Sequence, residues 1–468
     1  MNWLYKLFGK RPPEKEQSSS AERSNGSPQP DAPQSLPVFD GLHGIRFGRY
    51  SDNNKSQKKT QSWYVAEDLF KEKRYTESFA AFFDYLRDEA EDNVHVQQDG
   101  NRFSFTIFQG SKKIHGEINN ELITARTPLA VMEQPSTAVM RRLLEMNYTL
   151  YYSHSGMDDQ NALHMVFISD IPSCNPSKLY YGLRELATKA DRQDDLLLTD
   201  FSSLKPTDNE HLKYLPEREV HVKYRYFRKW IEETLTRVSE LNQDSFSGAI
   251  AYQLLTLIYR IDFLLQPEAK LLSELEKING LYWDRKDEIA LVERNQMMKD
   301  AIRKLLDFSR EDFGKSLYRT KYTFSIATPP KADKVRDHIV SANKDSAWYI
   351  ENRYPDLALT INEYGMLYNQ FIYSMPKLQT DLITIFMAVR HQDFFADLGM
   401  KEQLYNPENK KLNEGLIKQA IEQAVSRYKD KFRNLKWDHN SISYSGLYEF
   451  GVDFSEYMAS LNLETKRD

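Results

Sequence analysis

The sequence contains little cysteine, little glycine and proline, and no excess of positive charge. Of its 468 residues only one is a cysteine, Cys174, which excludes an internal disulfide and a zinc or iron–sulfur site built from cysteines. Glycine and proline number 18 each, which excludes collagen-like and long low-complexity segments. Because Lys and Arg total 63 against 68 Asp and Glu, the net charge of −5 provides no general attraction to nucleic acid.

Long apolar runs are also missing. The longest apolar stretch, from Gly248 to Leu265, contains Arg260 and Asp262. A membrane-spanning helix needs about 20 mostly apolar residues, and a charged pair in the middle of such a span is expensive. The stretch therefore predicts a buried helix. Since Lys6 also interrupts the apolar start of the chain, no secretory signal is expected, and we predict a cytoplasmic protein.

The first eleven residues predict a short amphipathic helix. At 100° per residue, Trp3, Leu4, Leu7 and Phe8 share one face, and the peptide carries a net charge of +3. Such a peptide suits weak contact with the inner face of an anionic membrane or docking into the groove of a partner. A frayed terminus is the alternative.

Residues 12–61 predict a disordered linker that ends in a basic lead-in. Prolines and polar residues dominate its first part, which has too few apolar residues to offset the entropy of ordering. Its second part interleaves aromatic residues with cations, a pattern that binds single-stranded nucleic acid or an acidic peptide. The alternative is a basic stretch that lies over its own domain. The candidate partner-binding cations here are Arg46, Arg49, Lys55, Lys58 and Lys59.

Residues 62–200 predict an α+β domain. Apolar residues recur at helical spacing from Trp63 to Leu86, with a break at the turn 71–74. Alternation with a period of two then predicts a meander of four antiparallel strands between residues 94 and 126. A helix over 138–146, with Val139, Leu143 and Leu144 inward, precedes two further strands at 148–152 and 163–169. The order predicts an antiparallel sheet flanked by helices, closed by a helix that starts at Pro176.

Parts of this domain resemble YbjN-type proteins and type III secretion chaperones. The resemblance rests on Leu-Leu-Glu-Met-Asn-Tyr at 143–148, Asn-Ala-Leu-His-Met-Val-Phe at 161–167, the run from Pro176 to Leu186, and Ala190-Asp191. It covers residues 62–200, under a third of the chain. It implies a fold without catalytic residues whose members bind other proteins on the sheet face or helices, commonly as dimers. The basic lead-in and the large C-terminal domain depart from that pattern.

Residues 201–218 predict a connector, and residues 219–463 an all-α helical domain. The acidic, linker-like composition starts at residue 192, so we also assign the pair Asp194-Asp195 to a linker. Beyond it, apolar residues recur at helical spacing, and prolines and glycines mark the breaks between about eight helices. Heptads that would indicate a long coiled coil are absent.

Two groups in the helical domain are candidates for chemistry. The segment 221–230 combines aromatic residues with cations, and we expect Lys223, Arg225, Arg228 and Lys229 outside the apolar stripe, where they would meet RNA, phosphate or an acidic helix. An ordinary solvated face is the alternative. His391, beside Arg390 and Asp393, is the best acid–base candidate, although a histidine at a helix C-terminus is favoured electrostatically without catalysis.

Together these features predict a non-enzymatic, cytoplasmic protein-binding module of the chaperone or adaptor type, with no cofactor and no metal. Its partner would be another protein, captured noncovalently, with weak membrane contact through residues 1–11 and a homodimer as further options. One alternative is a nucleic-acid-associated regulator that uses segments 46–59 and 221–230, although the charge balance disfavours nucleic acid. A second alternative is an enzyme in the helical domain around His391.

Overall fold

The computed structural model describes residues 36–465, except His43, Glu89 and residues 285–286. The candidate membrane or docking residues Trp3, Leu4, Leu7 and Phe8, and about half of the predicted linker, therefore lie outside the described residues.

The first domain is a helical hairpin followed by a seven-stranded antiparallel sheet, and it confirms the predicted α+β class. Its strand order is β1-β2-β3-β4-β6-β5, with β7 paired to β4. Its helices are α1 (Gln57–Lys71), α2 (Tyr75–Leu86), α3 (Thr137–Tyr148) and α4 (Pro176–Asp200). Its strands are β1 (Val94–Asp99), β2 (Arg102–Gln109), β3 (Lys112–Ile118), β4 (Leu122–Met132), β5 (Ser153–Met157), β6 (Ala162–Asp170) and β7 (Leu204–Lys205).

Alternation of side chains explains why one face of this sheet is covered and the other is open. In β2, Phe103, Phe105 and Ile107 are buried under the helices, whereas Ser104 is exposed. The neighbouring strand β3 has a glycine where it passes the Phe105 ring, because a Cβ at Gly116 would lie within 2 Å of that ring. The predicted meander is confirmed, with Phe105 opposite Gly116 in the register.

The second domain is largely helical, as predicted. Its helices are α5 (Glu217–Ser239), α6 (Ser247–Leu265), α7 (Ala269–Trp283), α8 (Leu291–Leu305), α9 (Arg310–Lys315), α10 (Ala332–Glu351), α11 (Pro355–Ile372), α12 (Lys377–Arg390), α13 (Gln392–Leu398), α14 (Glu414–Ser426) and α15 (Leu447–Ser460). Short two-residue strands join its loops: β8 (Lys213–Tyr214) with β9 (Tyr318–Arg319), and β10 (Tyr405–Asn406) with β11 (Lys411–Leu412). The run from Lys377 to Leu398 forms two helices, α12 and α13, because the chain breaks at His391.

Helix α6 lies in the middle of the helical core. It is long and apolar enough to cross a membrane, but most of it is buried inside the protein. Asp262 within it is 3% exposed and bonds to an arginine from a distant segment, which explains the charge in an apolar run. Helix α6 is therefore a buried core helix, as the sequence predicted.

The segment of residues 36–56, here named the N-terminal strap, packs against the helical domain. Leu36, Val38, Phe39 and Leu42 are buried in the helical core. Gly48 adopts a positive φ of 72°, and its backbone N–H donates to the carbonyl of Phe263 at 2.9 Å. The prediction of a disordered linker is therefore wrong for the described residues of the strap. Its few apolar side chains are buried by residues of the helical domain, which are distant in the sequence and so do not show in the local composition.

The strap and one loop of the helical domain bring the two domains into contact. Phe324, from that loop, is 1% exposed and belongs to the core of the α+β domain. The Thr323 hydroxyl donates to the carbonyl of Phe108 at 2.8 Å, and the Phe324 N–H donates to the Gln109 side chain at 2.9 Å. The helical domain thus supplies part of the hydrophobic core of the α+β domain.

The predicted linker assignment of Asp194-Asp195 is wrong. Both residues lie in the last two turns of α4, and Asp194 is 2% exposed. Its carboxylate pairs with the Lys112 ammonium group at 2.7 Å, and the side chain of Lys112 is 1% exposed. An acidic sequence that resembles a solvated linker is here helical because a buried lysine from β3 compensates its charge.

Candidate functional site

The cations of the strap do not form a free basic surface. Arg49 is buried: its Nε and Nη2 donate to the Asp262 carboxylate at 2.9–3.1 Å, and its Nη1 donates to the carbonyl of Phe371 at 3.1 Å. The guanidinium carbon lies 4.1 Å from the centre of the Phe371 ring. Arg49 as a partner-binding residue is therefore a wrong prediction, since its charge is already neutralised inside the protein.

Arg46 and Lys55 of the strap, and Lys59 at the start of α1, also contact other parts of the protein. Lys58, also in α1, is exposed. Arg46 pairs with Glu91 at 2.6 Å. The Lys55 ammonium group donates to the carbonyl of Tyr85 at 3.2 Å, and that of Lys59 donates to the carbonyl of Asp84 at 2.8 Å. These cations hold the strap and the start of α1 against α2.

The second basic segment, residues 221–230, also does not form a free basic surface. Lys223, predicted to be outside, is 2% exposed, and its ammonium group contacts Glu219 at 3.1 Å and the carbonyl of Leu265 at 3.0 Å. The prediction fails because Lys223 and Glu219 are i, i+4 neighbours that enter the core together. The three remaining cations are more exposed, and each has a carboxylate partner on the surface: Arg225 with Asp397, Arg228 with Glu232, and Lys229 with Glu233.

Exposed apolar side chains concentrate instead on α3 and the loop that follows it. Met140, Leu144 and Tyr148 recur at four-residue spacing, with exposed fractions of 36%, 69% and 93%. Tyr151 and Tyr152 in the loop add fractions of 91% and 41%. We name these five residues the α3 surface. Large apolar patches of this kind on a soluble protein mark interaction sites.

Helix α3 carries this stripe because it is apolar on two faces. Val139, Leu143 and Met146 pack onto the sheet, and the residue after Leu143 is rotated by 100° toward solvent. Leu144, predicted to face inward, is therefore exposed. The spacing of Met140, Leu144 and Tyr148 is the sequence signal that would have revealed the second apolar face.

A single carboxylate fixes the loop that presents the tyrosines. Glu185 of α4 accepts the backbone N–H groups of Tyr151, Tyr152 and Ser153 at 2.8–2.9 Å, and the Ser153 hydroxyl at 2.8 Å. Partial burial alone raises the pKa of Glu185, but these hydrogen bonds outweigh burial and lower it below the ordinary value. The predicted strand over 148–152 is wrong, since these residues end α3 and form this loop, and β5 starts at Ser153.

We expect Glu185→Ala to destabilise the protein by about 1–3 kcal/mol, because three backbone N–H groups lose their acceptor. Urea unfolding at neutral pH measures the change. Glu145→Ala is the matched control, since Glu145 is exposed and pairs with Arg141 on the surface of α3; its effect should stay within about 0.5 kcal/mol. Equal effects of the two substitutions would contradict a fixed loop.

The edge strand next to the α3 surface is closed to strand addition. The side chain of Asn147 accepts the Ser155 N–H at 2.6 Å and donates to the Ser155 carbonyl at 3.1 Å. Together with Glu185 on Ser153, these bonds occupy the outward backbone groups of the middle of β5. A partner at this edge of the sheet therefore has to bind through side chains rather than by extending the sheet.

The acid–base candidate His391 is buried beside a carboxylate. Its Nε2 lies 3.1 Å from Glu363, which is fully buried and also accepts from Arg260 Nε at 2.7 Å. Burial lowers the pKa of His391 below its ordinary value, although Glu363 opposes the shift. These residues line a cavity of about 270 Å³ in the helical domain.

The other candidates for chemistry have structural roles. Cys174 is fully buried, and burial raises the pKa of its thiol to about 11, so it is not an activated nucleophile. Among the described residues, no group of three or more His, Cys, Asp or Glu side chains is placed to hold a metal ion.

Comparison with models of known protein families and with curated proteins found no match for the chain. We therefore infer its function from the geometry of the α3 surface and of the cavity.

Proposed function

We propose that the protein is a non-enzymatic, cytoplasmic adaptor or chaperone that binds a helix of another protein on the α3 surface. The observation that carries the proposal is the exposed stripe of Met140, Leu144 and Tyr148, extended by the two tyrosines of the loop. Aromatic residues and methionine are enriched in protein interfaces, where a large apolar side chain leaves water on binding.

A helix is the partner element that fits this stripe. Eight residues of α3 separate Met140 from Tyr148, a distance of about 12 Å along the helix axis. Residues at i, i+4 and i+8 form a ridge that packs into the groove of a second helix. The occupied edge of β5 disfavours an extended peptide, so the partner is expected to offer leucine-type side chains at helical spacing.

The chaperone resemblance over residues 62–200 supports the same function and stays a prediction. The nucleic-acid alternative loses support, because Arg49 and Lys223 are buried and the other cations of segment 221–230 pair with carboxylates.

The lone buried cysteine allows a direct test of the site. A thiol-reactive photo-crosslinker on Leu144→Cys or Tyr148→Cys would label the α3 surface alone, because Cys174 is fully buried. Val340→Cys on α10 is the matched control, since Val340 is also apolar and 43% exposed. We expect both α3 positions, but not position 340, to crosslink the same protein in extracts of the native host, with the bond on the apolar face of a helix.

A binding measurement with that purified protein completes the test. Leu144→Asp should weaken the complex by about 2 kcal/mol, roughly 30-fold, because a charge would be buried in the interface. Its own stability should change by no more than about 0.5 kcal/mol, since Leu144 is exposed. Val340→Asp should leave binding unchanged. Equal crosslinking at all three positions, or an adduct with nucleic acid or with a second copy of the chain, would overturn the proposal.

A further inference from the structure

The cavity in the helical domain is built from buried charges and aromatic walls. It lies among α5, α6, α11, the end of α12 and the start of α13, and Tyr226, Trp230 and Tyr405 contribute rings to its lining. Its volume of about 270 Å³ is at the lower end of the range of small-molecule sites, which predicts a small ligand.

One fully buried carboxylate and two guanidinium groups lie at the floor. Glu363 bonds to Arg260 and to His391, as described above, and Nη2 of Arg390 lies 3.8 Å from the same carboxylate. Burial alone raises the pKa of Glu363, but the surrounding cations hold it well below its ordinary value, so the carboxylate is ionised. Two permanent positive charges therefore face one negative charge.

Arg390 is the member of this group without a hydrogen-bond partner. Its side chain is only 10% exposed, yet it donates no hydrogen bond to any residue in the described part of the chain, and its Nε is buried and unpaired. A buried guanidinium group normally has acceptors for its five donors, since an unpaired buried charge is costly. Arg390 lines the cavity, where a ligand would supply acceptors for its free donors.

We propose that this cavity is a binding site for a small carboxylate ligand with an aromatic or apolar body. The carboxylate would accept from Arg390, beside Arg260, in the planar geometry that a guanidinium group offers. The rings of Trp230, Tyr226 and Tyr405 would cover the apolar body. The lining also includes three exposed carboxylates, Glu233, Asp356 and Asp393, and two cations, Lys229 and Arg237, so these groups add no net positive charge that would favour a dianion such as phosphate.

Benzoate is the probe for the site, and benzamide, its neutral counterpart of similar shape, is the control compound. With the full-length protein, isothermal titration calorimetry at pH 7 and low salt should show saturable binding of benzoate. The affinity for benzamide should be lower, on the order of tenfold or more. Inorganic phosphate should bind less tightly than benzoate.

Arg390→Met separates a ligand-binding arginine from a structural one. The substitution removes a buried cation that donates no hydrogen bond within the described residues, and it leaves Glu363 paired with Arg260 and His391, so the melting temperature of the free protein should stay the same or rise. Benzoate binding should fall on the order of tenfold or more. Arg303→Met, on the surface of α8 where Arg303 pairs with Asp300, is the matched control and should change neither quantity.

Several results would overturn the assignment. They are the absence of saturable benzoate binding to the unaltered protein, equal binding of benzoate and benzamide, tighter binding of phosphate, or unchanged benzoate binding in Arg390→Met. A drop in melting temperature of Arg390→Met without any loss of benzoate binding would make Arg390 a structural residue.

Discussion

Glu268→Gln is expected to stabilise the protein by about 2 kcal/mol at pH 9 and to change its stability little below pH 4. Glu268 directly precedes α7 at the junction of the two domains, where burial raises the pKa of its carboxyl group from the ordinary 4.5 to about 8. Denaturant unfolding of both proteins between pH 4 and pH 9 measures the difference.

The sign follows from proton uptake on folding. Between pH 4.5 and 8 the folded protein holds a proton on Glu268 that the unfolded chain has lost, so stability falls as the pH rises through this window. Each pKa unit corresponds to about 1.4 kcal/mol, and we take half of the full value because the side chain is not completely shielded from water. Glutamine has no proton to lose, so the variant should lack this decline.

The groups around Glu268 shift its pKa in both directions. Burial is the largest cause of the raised pKa of Glu268, and the negative charges of Asp191 on α4 and of Asp262 raise it further. A hydrogen bond from the Tyr322 hydroxyl and the positive charge of Arg49 lower it in part. Burial also raises the pKa of Asp191 to about 7. Asp191→Asn should therefore act in the same direction.

Glu274→Gln is the matched control, because Glu274 lies on the same helix, is more exposed and pairs with Lys277 on the surface. Its unfolding free energy should follow that of the unaltered protein within about 0.5 kcal/mol across the pH range. A parallel pH dependence in Glu268→Gln and Glu274→Gln would contradict a protonated Glu268 at neutral pH.

Asp262→Ala is expected to destabilise the protein by about 3–5 kcal/mol, because it leaves the Arg49 guanidinium group buried without its carboxylate. Among the described residues, Glu276 would remain as the carboxylate partner of Arg49 within 4 Å, but its carboxylate is 3.8 Å away and 25% exposed. Thermal and denaturant unfolding at pH 7 measure the loss.

The double variant Arg49→Met/Asp262→Leu tests the cause of that loss. Replacing both charges by apolar side chains removes the uncompensated cation, so the double variant should be more stable than Asp262→Ala. Asp300→Ala, which breaks the exposed pair with Arg303, should cost no more than about 0.5 kcal/mol. If the double variant were as unstable as the single one, the loss would come from packing rather than from charge.

The sequence predicted those parts of the fold that depend on local alternation. The four-strand meander and the hairpin of α1 and α2 follow from spacing within a few residues, and both are confirmed. The strand predicted over 148–152 is wrong because its aromatic residues, which have high β-propensity, are exposed in a loop tied to Glu185. Propensity cannot show a partner that lies 34 residues further along the chain.

The candidate sites were less accessible to sequence reasoning for the same reason. A basic run predicts a free surface, but whether Arg49 is free depends on Asp262, a residue 213 positions away. The cavity combines Arg260, Glu363 and Arg390 from three helices, and none of these residues carries a motif. By contrast, the period-four stripe of α3 was present in the sequence and was hidden only by the assumption that Leu144 faces inward.

The strap also sets the order in which the protein can be completed during synthesis. Arg49 bonds to the carbonyl of Phe371, and Ser51 bonds to Ser374, across 322 and 323 residues of chain. At ~5–20 residues per second, a ribosome needs roughly 15–65 s to make that intervening chain. The strap is thus among the first described segments to leave the ribosome and cannot finish docking until α11 has been made. During that interval Phe39 and Phe47 of the strap lack their native partner Phe395 on α13, so a nascent chain of this protein is expected to need protection for longer than one whose contacts are local.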